Sequence, residues 1–417
     1  MQDVNNRGRY AAQALAVSPN RTLDFQLWDP WAAGVVRAFR HLQRGRLVLE
    51  LWNGQQAVFE GSRRGPSAHL RFNRRRGLRR LAFGGDVGFA EGYMAGDWES
   101  RDLRALIELF ALNLATVDSQ ASGTAFCRAW NRACHLLKPN SRKGSRRNIA
   151  YHYDLGNCFY EKWLDPSMTY SSGLYAGGAF DLDSAQRRKY ERVAELLDLR
   201  PGQSVLEIGC GWGAFAEYAA GELGCRVTGL TLSHEQLAYA EERIARAGLS
   251  DRVELRLQDY RDVRGRFDRI ASIEMLEAVG EDNWPTYFRT LRDRLAPSGV
   301  AVLQVISIAE DRYEAYRSGA DFIQRYIFPG GMLPSPKVLH EQAAGANLSL
   351  VHESRFGRSY ARTLEQWRHR FASAWPQIKA EGFDERFRRM WEYYLAYCEA
   401  GFRVGTINVG HYKLVRD

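Results

Sequence analysis

A chain of 417 residues is long for one hydrophobic core and points to two or three units, while 45% hydrophobic and 26% charged residues argue against large-scale disorder. No run approaches the ~20 apolar residues of a bilayer-spanning helix, and MQDVNNRGRYAAQALAVSPN lacks the basic head and apolar run of a signal peptide, so a cytoplasmic location is expected. Cys127, Cys134, Cys158, Cys210, Cys225 and Cys398 are scattered without a CxxC pair, which fits reduced thiols and gives no metal centre.

In chain order, residues 1–35 form a weakly patterned arm. Between positions 37 and 80 twelve arginines crowd together with Glu50 and Glu60 as the only acids. Within that stretch GRLVLELWNGQQAVFEG reads as a β-hairpin around a two-residue turn at Asn53-Gly54. The glycine-rich, aromatic GGDVGFAEGYMAGDWES precedes an apolar helix, DLRALIELFALNLA, and together they outline a small basic α+β domain over residues 36–130. HLLKPNSRKGSRRN, in a basic linker at 131–150, contains no acid from Lys138 to Arg147. Such patches attract polyanions, either nucleic acid or anionic lipid headgroups, and charge alone does not choose between these and a plain solvated surface.

From about residue 200 strand and helix patterns alternate. QSVLEIG, CRVTGLTL, VELRLQDY, FDRIASIEM and GVAVLQVIS read as strands, with AFAEYAAGEL, HEQLAYAEERIARAG and WPTYFRTLRDRL as helices. The alternation implies a doubly wound α/β sheet with a ligand at the carboxyl ends of its strands.

The first strand of the series runs into Gly209-Cys210-Gly211-Trp212-Gly213. Glycine lets the backbone turn sharply and approach a ligand without a Cβ. The spacing is GxGxG, one residue shorter than the dinucleotide fingerprint. Glu207 precedes the loop, and the next strand ends in Thr231-Leu232-Ser233 without the acid that would hold an NAD ribose. A third strand ends in Gln258-Asp259-Tyr260, a candidate adenine contact. S-adenosylmethionine is the ligand this pattern favours.

LEIGCGWG, GLTLSHEQ, QDYRD, YIFPGGMLPS and RMWEYYLAYCEAGF, preceded by YHYDLGNCFYEKWLDPSMTYSSGLY and GDVGFAEGYMAGDWES, together resemble the cyclopropane fatty-acid synthase family over roughly residues 80–415. The resemblance implies a class I methyltransferase domain, Rossmann-like, over residues 151–417, with an acyl-channel insertion, behind the smaller N-terminal α+β domain. It implies a homodimer at the inner face of the membrane, acting on unsaturated phospholipid at a peripheral anionic surface. Nucleic acid is not an expected partner. Carried over residue by residue, Tyr170 and Ser171 match cofactor contacts, and Gly209 and Gly211 match the loop under the methionine moiety. Thr231, Leu232 and Gln236 match the surroundings of the ribose, and Asp259 falls in the adenine-side segment.

The implied reaction begins with an alkene attacking the sulfonium methyl, so the two must be aligned and water excluded from the carbocation. Aromatic side chains are dense at Tyr151, Tyr153, Phe159, Tyr160, Trp163 and Tyr170 and again at Trp391, Tyr393, Tyr394, Tyr397 and Phe402. Most read as helix packing and one or two as channel wall, where a ring face stabilises a cation. The family's proton acceptor is a bound bicarbonate held by a glutamate, a histidine, a tyrosine and backbone groups. Glu277 matches the glutamate, Tyr360 the tyrosine, and Ile306 a residue contributing its backbone. Three positions depart from the pattern. Ser172 stands for the usual cysteine, Gln304 for the histidine and Ala278 for the histidine after the glutamate. Glutamine donates a hydrogen bond but neither carries charge nor relays a proton. Methyl transfer giving a cyclopropane chain is the expected function, with a methylene- or methyl-branched product as the alternative outcome of the same first step. An RNA or small-molecule methyltransferase, and a lipid-binding protein that keeps the cofactor without turnover, are the competing readings.

Overall fold

The computed structural model describes residues 30–118, 155–319 and 321–417. The arm up to residue 29, the run Lys138–Arg147 and the rings of Tyr151 and Tyr153 lie outside the described residues.

The N-terminal part opens with α1 (Pro30–Phe39) and builds a four-stranded sheet from β1 (Arg44–Glu50), β2 (Gln56–Glu60), β3 (Arg63–Phe72) and β4 (Trp98–Glu99), ordered β2-β1-β3-β4. β1 and β2 pair antiparallel, Val48 opposite Val58, as their alternation demands. The turn holds three residues rather than two. Leu51 still pairs with Gln55 across it, and Gly54 takes the left-handed φ of 80° that closes such a loop. α2 (Arg75–Met94) packs beside β3 and β4 and breaks at Gly85, whose φ of 54° and ψ of −138° suit glycine alone. α3 (Leu103–Asp118) follows. Between them Asp97, fully buried, takes Arg80 at 3.0 Å and also binds Arg76, which ties the chain after α2 back onto its first turns.

After the short α4 (Asn157–Glu161) and α5 (Leu182–Leu197) comes the larger sheet, ordered β10-β11-β9-β8-β5-β6-β7. β5 (Ser204–Ile208), β6 (Arg226–Thr231), β7 (Val253–Leu257), β8 (Phe267–Ile273) and β9 (Leu295–Ile308) are mutually parallel. The crossover helices are α6 (Ala214–Gly221), α7 (His234–Arg246), the one-turn α8 (Leu276–Val279) and α9 (Trp284–Arg294). β5 is buried at four of its five residues, the run expected of a strand covered on both faces. After β9 the chain inserts α10 (Glu310–Arg317) and a π-helical turn, Ile323–Ile327, before α11 (Pro336–Gly345) and β10 (Leu348–Arg355). Two long helices, α12 (Gly357–Ala380) and α13 (Glu385–Val404), pack together, and β11 (Ile407–Arg416) slots antiparallel between β9 and β10. This is the class I methyltransferase sheet.

The two parts share a core. One cluster of buried side chains runs from Leu47 and Trp98 through Tyr93 and Tyr393 to Trp391 and Trp163. α13 lies across α2 and α3, with the Tyr93 hydroxyl donating to Glu392 at 3.1 Å and that of Tyr326 to Glu91 at 2.6 Å. Trp98, Trp163, Trp367 and Trp391 are fully buried in this cluster, and truncating one to alanine would cost roughly 3–5 kcal/mol. Among the described residues no helix is long and apolar enough to cross a membrane.

Candidate active site

A cavity of about 910 Å³ opens at the carboxyl ends of β5, β6 and β8 and reaches the kink of α2 and the inner face of α13. Its first wall is the glycine loop. Gly209, Gly211 and Gly213 take φ of 86°, 52° and 84°. A Cβ on Gly209 would press on Met275 and one on Gly213 on Ala240, whereas nothing lies within 4 Å of that position at Gly211. That bare backbone faces open space, where a ligand can come close.

Beside the loop, Glu207 is buried with its Oε2 unpartnered, and burial lifts its pKa to about 8, eased by the Lys189 ammonium. Lys189 is itself fully buried and donates to Ser171 Oγ at 2.7 Å; desolvation lowers its pKa to about 7 against the opposing charges of Glu274, Asp165 and Glu207. At the end of β6 Thr231 Oγ1 donates to Gln236 at 2.9 Å, and Ser233 caps α7 by accepting from the Gln236 N–H. Thr231, Leu232, Gln236, Tyr170 and Ser171 line this half of the cavity together with Gly209 and Gly211. Asp259 does not. Its carboxylate folds back onto Arg261 at 2.6 Å, and Gln258 and Tyr260 on either side face the cavity instead. An unpaired buried acid, an open glycine at left-handed φ and a polar strand end fit the ammonium, backbone and ribose of S-adenosylmethionine.

The second wall is aromatic. Tyr170 donates to or accepts from Tyr394 at 2.7 Å, and Tyr360 stacks on Phe402 with ring centroids 4.4 Å apart. Tyr170, Tyr394, Tyr397 and Phe402 line the cavity with Phe328, while Phe159, Trp163 and Trp391 lie behind as packing. More rings face the channel than the one or two expected.

Between the walls sits a polar cluster whose centre the sequence did not single out. Glu274 Oε1 accepts from the Ser172 N–H at 2.8 Å and from Gln304 Nε2 at 2.7 Å, and its Oε2 accepts from the Tyr360 hydroxyl at 2.7 Å. Behind it, Gln304 Oε1 meets His411 Nε2 at 3.0 Å, because β9 and β11 pair these residues in register. Burial lowers the His411 pKa to about 3, so the ring is neutral and donates. Glu277, three residues on, accepts instead from the Ile306 N–H, and its Oε2 has no partner. Burial and the neighbouring Glu274 charge lift its pKa to about 8. Thus Tyr360, Ser172 and Gln304 converge on Glu274, and Ile306 pairs with Glu277. Lys189, Glu274 and His411 are the residues that sequence reasoning missed.

Residues 140–412 match the family model for mycolic acid cyclopropane synthetase. The chain belongs to this family. It is 39% identical over 358 residues to the tuberculostearic acid methyltransferase UfaA1 of Mycobacterium tuberculosis, covering 81% of each protein. It is 36% identical over 366 residues to the cyclopropane-fatty-acyl-phospholipid synthase of Escherichia coli, covering 87% of this chain and 91% of that one. A crystal structure of the mycolic acid cyclopropane synthase CmaA1 complexed with SAH and CTAB superposes with a TM-score of 0.61 at 29% identity, over 64% of this chain and 97% of the other. As a member of the cyclopropane synthetase family the chain is an S-adenosylmethionine-dependent methyltransferase that acts on lipid acyl chains.

Proposed function

We propose that the substrate is an unsaturated acyl chain of a membrane phospholipid and that the enzyme adds one carbon at its double bond. The observation that carries this reading is the continuity of the cavity from the glycine loop to the aromatic wall and on to the kink of α2. A largely apolar space beside a cofactor site suits an alkyl chain. When bound, S-adenosylmethionine supplies an electrophilic methyl. Gly209, Gly211, Tyr170, Ser171 and Glu207 would hold its methionine end, and Thr231, Leu232 and Gln236 its ribose, with Gln258 and Tyr260 on the adenine side. The rings of Tyr170, Tyr394 and Phe402 exclude water and present π faces to a passing cation.

Exposed arginines support a membrane surface as the site of work. Arg37, Arg40, Arg44, Arg46, Arg63, Arg64 and Arg79 are exposed and make no ion pair among the described residues, so they offer positive charge to anionic headgroups. A cyclopropane chain is one product consistent with this chemistry. A methylene branch, reduced elsewhere to a methyl branch, is the other. Gln304 in place of the histidine, held on the Glu274 carboxylate, and the similarity to a tuberculostearic acid methyltransferase favour the second.

The test is mass spectrometry of lipids after incubating the protein with methyl-labelled S-adenosylmethionine and vesicles of mono-unsaturated phospholipid. A gain of one CH2 per acyl chain is expected, and NMR of the product separates ring from branch. Absence of label from every unsaturated phospholipid, with cofactor binding intact, would refute the substrate assignment.

A further inference from the structure

Glu274 stands in a backbone conformation that favours glycine. Its φ is 51°, in the left-handed region, where a non-glycine residue costs on the order of 1–3 kcal/mol and persists because its surroundings hold it there. The surroundings do so from both sides. Its N–H donates to the Gln304 carbonyl at 2.7 Å, and its carboxylate takes the Ser172 N–H, the Gln304 amide and the Tyr360 hydroxyl. Three donors fill three of the carboxylate's roughly four lone-pair directions, and the residue lines the cavity next to Met275, which touches the glycine loop.

These are the groups that the family resemblance assigns to a bound bicarbonate. In this chain they are taken. Ser172, Gln304 and Tyr360 are on Glu274, and the Ile306 N–H is on Glu277. The donor set therefore does not fit a free bicarbonate, because a carboxylate of the chain already lies among the donors.

We propose that Glu274 is itself the proton acceptor of the reaction, and that His411 is a positioning residue acting through Gln304. The proposal rests on one-carbon addition to an alkene as set out above. In the first step the alkene π pair forms a bond to the methyl carbon while the carbon–sulfur bond breaks and leaves its pair on sulfur. In the second, Glu274 takes a proton from the carbocation. The freed C–H pair closes either a carbon–carbon bond, giving the ring, or, after a hydride shift, a double bond, giving the methylene branch. No oxidant or reductant is needed. His411 fixes the amide: by donating to Gln304 Oε1 it turns Nε2 toward Glu274. Gln304 carries no proton onward; it only holds the base in place. Burial, which raises the Glu274 pKa, makes it a stronger base than an exposed glutamate.

The experiment uses the full chain, labelled S-adenosylmethionine and mono-unsaturated phospholipid vesicles in buffer stripped of bicarbonate. Turnover should be the same with and without added bicarbonate, and E274Q should lose roughly 100-fold or more in kcat while cofactor affinity is kept. In parallel, 13C NMR should detect no bound [13C]bicarbonate on the parent protein and should detect it on E274G, whose donors are freed and whose turnover should respond to bicarbonate. H411A should lower kcat with KM for the cofactor unchanged, and H411Q, which still offers an N–H, should restore it. Bicarbonate dependence of the parent protein, bicarbonate bound to it, or full turnover by E274Q would each overturn the proposal. If the parent protein labels no lipid, the substrate reading fails, and the NMR arm still decides whether Glu274 occupies the bicarbonate position.

Discussion

Two carboxylates three residues apart, Glu274 and Glu277, face one cavity and are held in opposite ways. Glu274 has three donors, whereas Glu277 has one donor and an unpartnered oxygen. Desolvation and mutual repulsion place the Glu277 pKa at about 8, so at neutral pH it carries a proton that the unfolded chain, titrating near ~4.3, does not. The sign follows. Its contribution to stability is complete below the unfolded value and is lost as pH rises toward 8, because the folded state binds the extra proton only in that window. Ligand-free protein should therefore melt at a lower temperature at pH 7 than at pH 5. E277Q, neutral throughout, should flatten that slope by up to about 1.4 kcal/mol per pH unit. Chemical denaturation at several pH values measures it, and an unchanged slope would mean that Glu277 is ionised in the fold. The oppositely shifted Lys189 acts only above its folded pKa of about 7, and buried His411 opposes the slope between about 3 and its unfolded value of ~6.5, while the raised pKa of Glu207, about 8, and that of Glu274 add to it and keep its sign. Neither the division of labour between the glutamates nor the pairing of His411 with Gln304 was legible in the chain. IEMLEAVG gives no local sign of which glutamate meets Tyr360, and the histidine reaches Gln304 only through strand register.

At the scale of elements, glycines do separate jobs. In the loop after β5 the strand, the turn and the helix were all legible, since an apolar run, three glycines and a helical pattern follow one another without a gap. The break in α2 was not. GGDVGFAEGYM carries helical and turn signals together, and docking against α13 settles which part is helix. Because Gly85 holds a φ of 54° and a ψ of −138° with nothing near its missing Cβ, G85A tests backbone strain alone. It should destabilise the protein by roughly 1–3 kcal/mol, read as a lower denaturation midpoint with the same denaturant dependence. A neutral or stabilising result would show that the kink relaxes to a continuous helix. The extra residue in the β1–β2 turn has a similar origin: Asn53-Gly54 announces a turn, but its length depends on where Leu51 and Gln55 pair.

For the molecule as a whole, the shared core makes the arginine-rich part and the methyltransferase sheet one structural unit, with cavity walls from both. A surface of unpaired arginines on such a unit should hold the cavity near a bilayer. Reversing Arg63, Arg64 and Arg79 together to glutamate should reduce co-sedimentation with vesicles containing anionic lipid by tenfold or more, at about 1 kcal/mol for each charge removed. Binding of the parent protein should weaken with salt and should not transfer to neutral vesicles. Equal binding by the variant would place membrane attachment elsewhere. The amino-acid sequence by itself determined the parallel strand series, the glycine loop and hence the cofactor class, because hydrophobic period and glycine spacing are local properties. It also carried the family, through motifs that survive in order along the chain. Only the tertiary structure decided which acid the donors meet, that Asp259 turns to Arg261 and away from the cavity, and that a histidine stands behind Gln304. The contacts of the two acids and of the histidine join residues 29 to 107 positions apart, which no local pattern encodes, and although Asp259 and Arg261 are only two residues apart, their pairing turns the acid from the cavity where the strand pattern alone left it free to point in.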